Sequence, residues 1–562
     1  MKKHGRIKIN GKAKRRLAAM ILAGLATVPS FVYAAEADWQ TVEYFSSRGL
    51  DIVNAAAAYD RGFTGKGVRL GVCDQPTNFR HPDFSGKSGS SMLNEAEFYY
   101  SSDPSVLYTL EDFGWAYLTH GTHVAGIAAA DRNGVGMHGV AFDADVLGAV
   151  YGEYINENGG FRVAPGYSTF EPYLSLKDVK VINNSWSYRI YLNDYNSLNA
   201  YRNVVENNRA GDCLNSIFKA AKADKLLVFS TGNHGRPEGN PQALSAALYD
   251  AAMDHVIAVT ALDDVNFLTK QGGKISGSQL MGPFSNFACY AEDYTLAAPG
   301  TNIMSANANF AGDGRLDIPL SGTSMATPFV AGGAAVVQQA FPYLSAKQIG
   351  DVLLSTANPN VSATNGYVVS YESSDKVNIF YIDTNPPATT KTQNDLRKDI
   401  QKLLEEKDRD TSTYPYNVLQ RAFDNPNCVY VPYYNVPYEA LVGQGVLDVG
   451  KAVRGLAALN ARRLTADDIS GDYTVQGTKT DQALYTVNTA GYDSEWSNDI
   501  REIRVGKLAA NNTEADLIAR YNYYKVNWLD TSKPSKGTVQ NYIDEFNDEV
   551  AKSGLAGLHV GF

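Results

Sequence analysis

The chain has 562 residues, enough for more than one domain and for a large buried core. Its 44% apolar and 20% charged residues exclude a disordered or fibrous polymer. A net charge of −10, with no long basic run beyond residue 16, excludes an electrostatic nucleic-acid binder, so no nucleic-acid partner is expected.

The first residues are basic (Lys2, Lys3, Arg6, Lys8, Lys12, Lys14, Arg15, Arg16), and an apolar run rich in Ala and Leu fills 17–28. Pro29, Ser30 and then Val32, Tyr33 and Ala34 follow, the pattern that a signal peptidase reads. Residues 1–34 are therefore predicted to be a secretory signal, cut after Ala34 or Ala35. The run is shorter than the ~20 apolar residues of a spanning helix, and no later stretch reaches that length. No transmembrane segment is expected after cleavage, and an exported protein, secreted or at the cell surface, is.

Residues 35–49 form a polar lead-in. From 50 to 459 short apolar runs alternate with helical segments. Strands are predicted at 68–73, 179–183, 226–230 and 255–260, and helices at 123–130 and 214–223. Such alternation implies an α/β fold, a parallel sheet with helices on both faces, with functional groups gathered at the carboxyl ends of the strands. Ser345 and Gln348 form a capping box before Ile349, Val352, Leu353 and Ala357, and Pro359 ends that helix. The Tyr-rich stretch 359–440 reads as a loose surface insertion with one charged helix around 395–406. A compact pattern resumes at Gly443 and runs to 459. Residues 460–562 read as a mixed α/β appendage, with strands near 473–475 and 484–487 and an amphipathic stripe of Val539, Tyr542, Ile543, Phe546 and Val550.

The four cysteines (Cys73, Cys213, Cys289, Cys428) allow up to two disulfides through three pairings, or else serve as small buried apolar residues. Cys73, in an apolar strand, is expected to do the latter. No metal-type cysteine spacing occurs.

Three segments carry chemistry. Asp74 ends the predicted strand 68–73, where a buried carboxylate needs a partner; taken alone it reads as a turn-forming Asp before Pro76. His120 stands just ahead of a Gly- and Ala-punctuated helix in His120-Gly-Thr-His123-Val-Ala-Gly126. Two histidines at that spacing suggest zinc only weakly, since neither a third ligand nor a Glu base accompanies them. Ser324, in Ser321-Gly-Thr-Ser324-Met-Ala-Thr-Pro328, opens a buried helix whose free N–H groups and dipole suit an anion. A plain N-capping serine is the alternative. Pro328 is expected in the first turn, where its missing N–H is not needed.

Taken together, these strings resemble the subtilisin-like serine proteases, or subtilases, over roughly residues 50–455. The resemblance implies that Ser324 is a nucleophile, His120 its general base and Asp74 the carboxylate that orients the base. It also makes Asn233 an oxyanion donor and His123 a loop-holding histidine. Ser185, Trp186 and Ser187 would form one wall of the substrate pocket and Ser230, Thr231 and Gly232 the other. Segments 283–287 and 297–300 would be structural. The family's pattern is departed from at Gln75-Pro76, and at Trp186 and Ser187, from which narrower and more polar subsites are expected. Only about fifteen residues separate Ala34 from Gly49 (49 − 34), too few for the inhibitory pro-domain of many subtilases. Together with the signal and the appendage, this resembles the passengers of bacterial autotransporters. The reading implied is a serine endopeptidase acting on protein or peptide substrates, with no required cofactor, structural calcium as a family trait, and a metal site that stays unknown. A catalytically silent subtilase fold that acts as a surface binding or adhesion module is the alternative.

Overall fold

The computed structural model describes residues 36–94, 119–157, 160–252, 254–382 and 391–454, with a few short strands elsewhere. The signal segment 1–34, the stripe at 539–550 and most of 460–562 lie outside the described residues. Within that last region Thr474–Gly477 pairs antiparallel with Tyr485–Asn488.

Seven strands form one parallel sheet. They are β1 (Arg69–Asp74), β2 (Ser91–Met92), β3 (Asp145–Val150), β4 (Val181–Asn184), β5 (Leu226–Ser230), β6 (Val256–Leu262) and β7 (Thr295–Pro299), in the spatial order β7-β6-β5-β4-β1-β3-β2. Leu-Leu-Val-Phe-Ser in β5 and Val-Ile-Ala-Val-Thr-Ala-Leu in β6 are buried throughout. Such unbroken apolar runs are what a parallel sheet covered on both faces requires. Helices α1 (Thr119–Ala129), α2 (Arg209–Lys222), α3 (Thr323–Ala340) and α4 (Ala346–Thr356) cover it. Helix α3 packs along β4 to β7 and against α1, while α2 packs on β5. The predicted capping box is present at α4, where Ser345 accepts from the Gln348 N–H and Gln348 from the Ser345 N–H. Helix α2 starts five residues before its predicted 214, behind the Asn208 cap.

The stretch expected to be a loose insertion has a core of its own. Strands β10 (Tyr367–Ser373), β11 (Lys376–Ile382) and β12 (Val429–Val436) make a three-stranded sheet, numbered after β8 (Ile303–Ala306) and β9 (Asp317–Leu320), which pair antiparallel. Side chains alternate along β11 as the pleat demands. Val377, Ile379 and Tyr381 join Leu396, Ile400 and Leu403 of α5 (Gln393–Leu404) and Leu419 of α6 (Tyr416–Asp424). Phe380 and Ile382 face the main core, with Phe380 stacked on Tyr433 at 4.5 Å and edge-on to Phe287 at 4.7 Å. The tyrosines that make the stretch look loose are used at a two-faced sheet. Tyr381 and Tyr367 bury their rings and donate their hydroxyls to Asp399, on its side chain at 2.6 Å and on its carbonyl at 3.0 Å.

All four cysteines are unpaired, and Cys73, Cys213 and Cys289 are buried separately. No disulfide forms in this arrangement, and burial pushes those three thiols up.

Candidate active site

Asp74 closes β1, wholly buried, at the carboxyl edge of the sheet. Its Oδ1 accepts from His120 Nδ1–H at 2.7 Å and from the Gln75 N–H at 2.7 Å; its Oδ2 is buried without a partner. The unusual Gln75-Pro76 thus supplies a main-chain donor to the carboxylate. His120 lies in the first turn of α1, not ahead of it, because the helix begins at Thr119. Gly121 is needed beside it, since a Cβ there would fall 1.9 Å from the Gln75 carbonyl oxygen. Burial opposes the positive charge on His120, but the Asp74 carboxylate outweighs it and holds the imidazole above its ordinary pKa.

Ser324 sits in the first turn of α3, with Gly322 as the N-cap. Pro328 falls in the second turn, not in the first where the sequence places it. A helix needs the N–H of residue 328 to reach the carbonyl of residue 324, and proline has none. The orphaned Ser324 carbonyl is met by the Ser185 hydroxyl at 2.8 Å. Ser324 Oγ–H donates to the Ser185 carbonyl at 3.0 Å. The two residues are therefore tied by reciprocal hydrogen bonds, and no hydrogen bond joins Ser324 Oγ to His120 among the described residues. Catalytic contacts commonly tighten only around substrate.

Asn233 follows β5. Its Oδ1 accepts from both the N–H and the hydroxyl of Thr323, each at 2.8 Å, which commits the oxygen and leaves Nδ2 facing the Gly322–Ser324 turn. His123 is buried, donates Nε2–H to the Ile318 carbonyl of β9 at 3.0 Å, and is pushed down to about 3 by burial. Among the described residues neither His120 nor His123 belongs to a cluster of three possible metal ligands.

The expected pocket residues are used mostly for structure. The Trp186 indole turns into the core, donates to the Cys73 carbonyl at 2.7 Å and packs edge-on against Phe229 at 5.4 Å. Thr231 Oγ1 is spent on the Val259 and Asn286 carbonyls. Ser185 and Ser230 are buried, and Ser187 is half-buried. Gly232, at φ +111°, donates its N–H to Thr323 Oγ1 at 3.2 Å. Hydrogen bonds to the main chain thus account for the hydroxyls of Ser185 and Thr231.

Residues missed as functional include Thr323, which anchors Asn233, and Asn286, whose Oδ1 accepts from the His234 and Arg236 N–H groups at 3.0 Å each. Both fall inside the motif strings, but their partners are remote in sequence.

A second polar cluster lies beyond the site. His81, Asp83 and Asp317 bring one ligand atom each within 4.8 Å of one another. Both His81 nitrogens are engaged, Nε2–H with the Leu316 carbonyl at 2.9 Å and Nδ1 with the Asp83 N–H at 3.2 Å. Asp83 Oδ2 and Asp317 Oδ1 are buried without partners, and burial pushes each carboxyl up to about 6. Unpaired carboxylate oxygens suit a hard cation better than a zinc ion. No helix among the described residues is long and apolar enough to cross a membrane.

The description of the Subtilase family matches residues 65–385. The chain is 33% identical over 371 residues to an extracellular serine protease of Serratia marcescens, covering 57% of this chain and 32% of that protein. It is 28% identical over 331 residues to subtilisin E of Bacillus subtilis, covering 58% and 71%. The match thus spans about a third of the length of the Serratia relative. Among solved structures, a prenylagaramide maturation protease shares 21% identity at a TM-score of 0.37, covering 54% of this chain and 89% of that one.

Proposed function

Because the chain belongs to the subtilase family, we propose that it is an exported serine endopeptidase whose catalytic groups are Asp74, His120, Ser324 and Asn233. The observation that carries this is the buried Asp74 Oδ1 bonded to His120 Nδ1–H at 2.7 Å, with Ser324 in the first turn of α3, which packs against the helix of His120. That bond leaves Nε2 as the free base nitrogen.

In this scheme Ser324 Oγ leaves the Ser185 carbonyl and attacks the substrate carbonyl carbon while His120 Nε2 takes its proton. Asp74 stabilises the resulting imidazolium. The tetrahedral oxygen accepts from the Ser324 N–H and from Asn233 Nδ2–H, donors already oriented before charge develops. Collapse breaks the C–N bond, and His120 returns the proton to the departing amine. Water then repeats the sequence on the acyl-enzyme, with every proton handled by the chain's own groups. The substrates are extracellular proteins or peptides that pair with the backbone at Ser185–Ser187 and Ser230–Gly232. A structural calcium ion would draw on Asp83 and Asp317.

The test is labelling with a fluorophosphonate probe, with Ser324→Ala as the control. Labelling confined to the wild-type chain is the expected result. The Ser324 Oγ–Ser185 bond favours one rival, a silent fold that serves as a binding module, and a well-folded wild type that takes no label would establish it in place of the peptidase.

A further inference from the structure

The loop that carries Asn233 is gripped from two sides. On one side Asn286 takes the His234 and Arg236 N–H groups and donates Nδ2–H to the Thr231 carbonyl at 3.0 Å. The other grip comes from the insertion. Asn378 of β11 is wholly buried and spends its amide hydrogens on the Gly235 carbonyl at 2.9 Å and on Glu372 Oε2 at 2.8 Å. Glu372 of β10 also pairs with the Arg236 guanidinium at 3.4 Å. The Tyr371 carbonyl comes so close to Gly235, at φ +59°, that a Cβ there would lie 2.3 Å from its oxygen.

Asn378 is an odd choice for a central strand between Val377 and Ile379, because its Oδ1 is buried without a partner. A residue kept only to fill that space would be apolar and carry no such cost. What the carboxamide supplies is two donors, and one of them ends two residues from Asn233. We propose that Asn378 and Glu372, both on the insertion, are positioning residues for the oxyanion hole. They fix Gly235 and Arg236 and, through the short main-chain link, hold Asn233 Nδ2 where the negative oxygen forms. This inference rests on the reading of Asn233 given above. A misplacement of about 1 Å at such a donor costs up to ~10²-fold in rate. With the Asn286 grip intact, about a tenfold loss is expected.

The experiment uses the full chain and two readouts. Amide hydrogen exchange, measured in the Ser324→Ala background, should speed up about tenfold or more at residues 233–236 in Asn378→Ala while β6 stays protected. This arm needs no turnover, so a wild type that cleaves nothing would sink the peptidase reading without silencing the test of the clamp. In the active chain, kcat on a peptide amide should fall about tenfold with KM unchanged, and the loss should vanish when Asn233→Ala is already present. Unchanged exchange in the loop, or the same fold-loss with and without Asn233, would overturn the proposal. Glu372→Gln, which keeps the size of the side chain, carries the same two readouts if Asn378→Ala does not fold.

Discussion

The reciprocal bonds between Ser185 and Ser324 give a sharp prediction about Pro328. Ser185→Ala removes the hydroxyl that satisfies the Ser324 carbonyl, and that hydroxyl also accepts from Asn183 Nδ2 at 3.1 Å. Two buried polar groups lose their partner, each at about 1–3 kcal/mol, so a loss of about 2–6 kcal/mol is expected. Pro328→Ala restores an N–H one helical turn beyond Ser324, within reach of that same carbonyl. In that background Ser185→Ala should cost about 1–2 kcal/mol less, since only the Asn183 amide is then orphaned. Urea unfolding of the four chains, each also carrying Ser324→Ala to prevent self-digestion, measures the coupling. A Ser185→Ala cost equal within about 0.5 kcal/mol in both backgrounds would mean that the proline does not hand this carbonyl to Ser185.

Other outcomes follow from the same geometry. Asn233→Ala should lower kcat by ~10²–10³ with little change in KM, a range taken from subtilisin itself; a KM effect alone would remove Asn233 from the oxyanion hole. Since His120 must be neutral to act as a base and Asp74 holds its pKa above 6.5, kcat/KM should decline with acid through a midpoint above about 6.5. The stability due to the Asp74–His120 contact runs the other way. It is fully present below the unfolded pKa and fades as pH rises through the raised one, so Asp74→Asn should destabilise more at about pH 5 than at about pH 9. The reverse order in denaturant titrations would refute that assignment. Calcium at about 100 times its dissociation constant should stabilise the fold by about 2.7 kcal/mol, read as a rise in melting temperature. That rise should disappear in Asp317→Asn; an equal rise in the variant would place the ion elsewhere.

How much of this was legible in the sequence depends on how far apart the interacting residues lie. Strands β5 and β6 could be read because both faces are buried, which writes an unbroken apolar run into the chain. The insertion could not, because its sheet serves two cores through alternating side chains and fills one with tyrosines, whose hydroxyls make the stretch look polar. Helix α1 starts four residues before its predicted 123, since Thr119 and His120 carry no cap signal that distinguishes an entry corner from a first turn.

At the site, the residues could be named from local strings, whereas their couplings could not. Thr323 anchoring Asn233 spans 90 positions, and Ser185 meeting Ser324 spans 139. Nothing near Asn378 in the chain hints that its amide ends on the loop after β5. The same distance hides what two of the hydroxyls expected at the pocket are bonded to. Ser185 and Thr231 look like pocket hydroxyls in sequence, yet each is bonded to a main-chain carbonyl remote in the chain. Backbone groups at strand ends and helix starts must be satisfied wherever water is excluded, and hydroxyls near a catalytic edge are the groups at hand. In this fold, therefore, a buried Ser or Thr beside the catalytic strings is first a donor to the main chain.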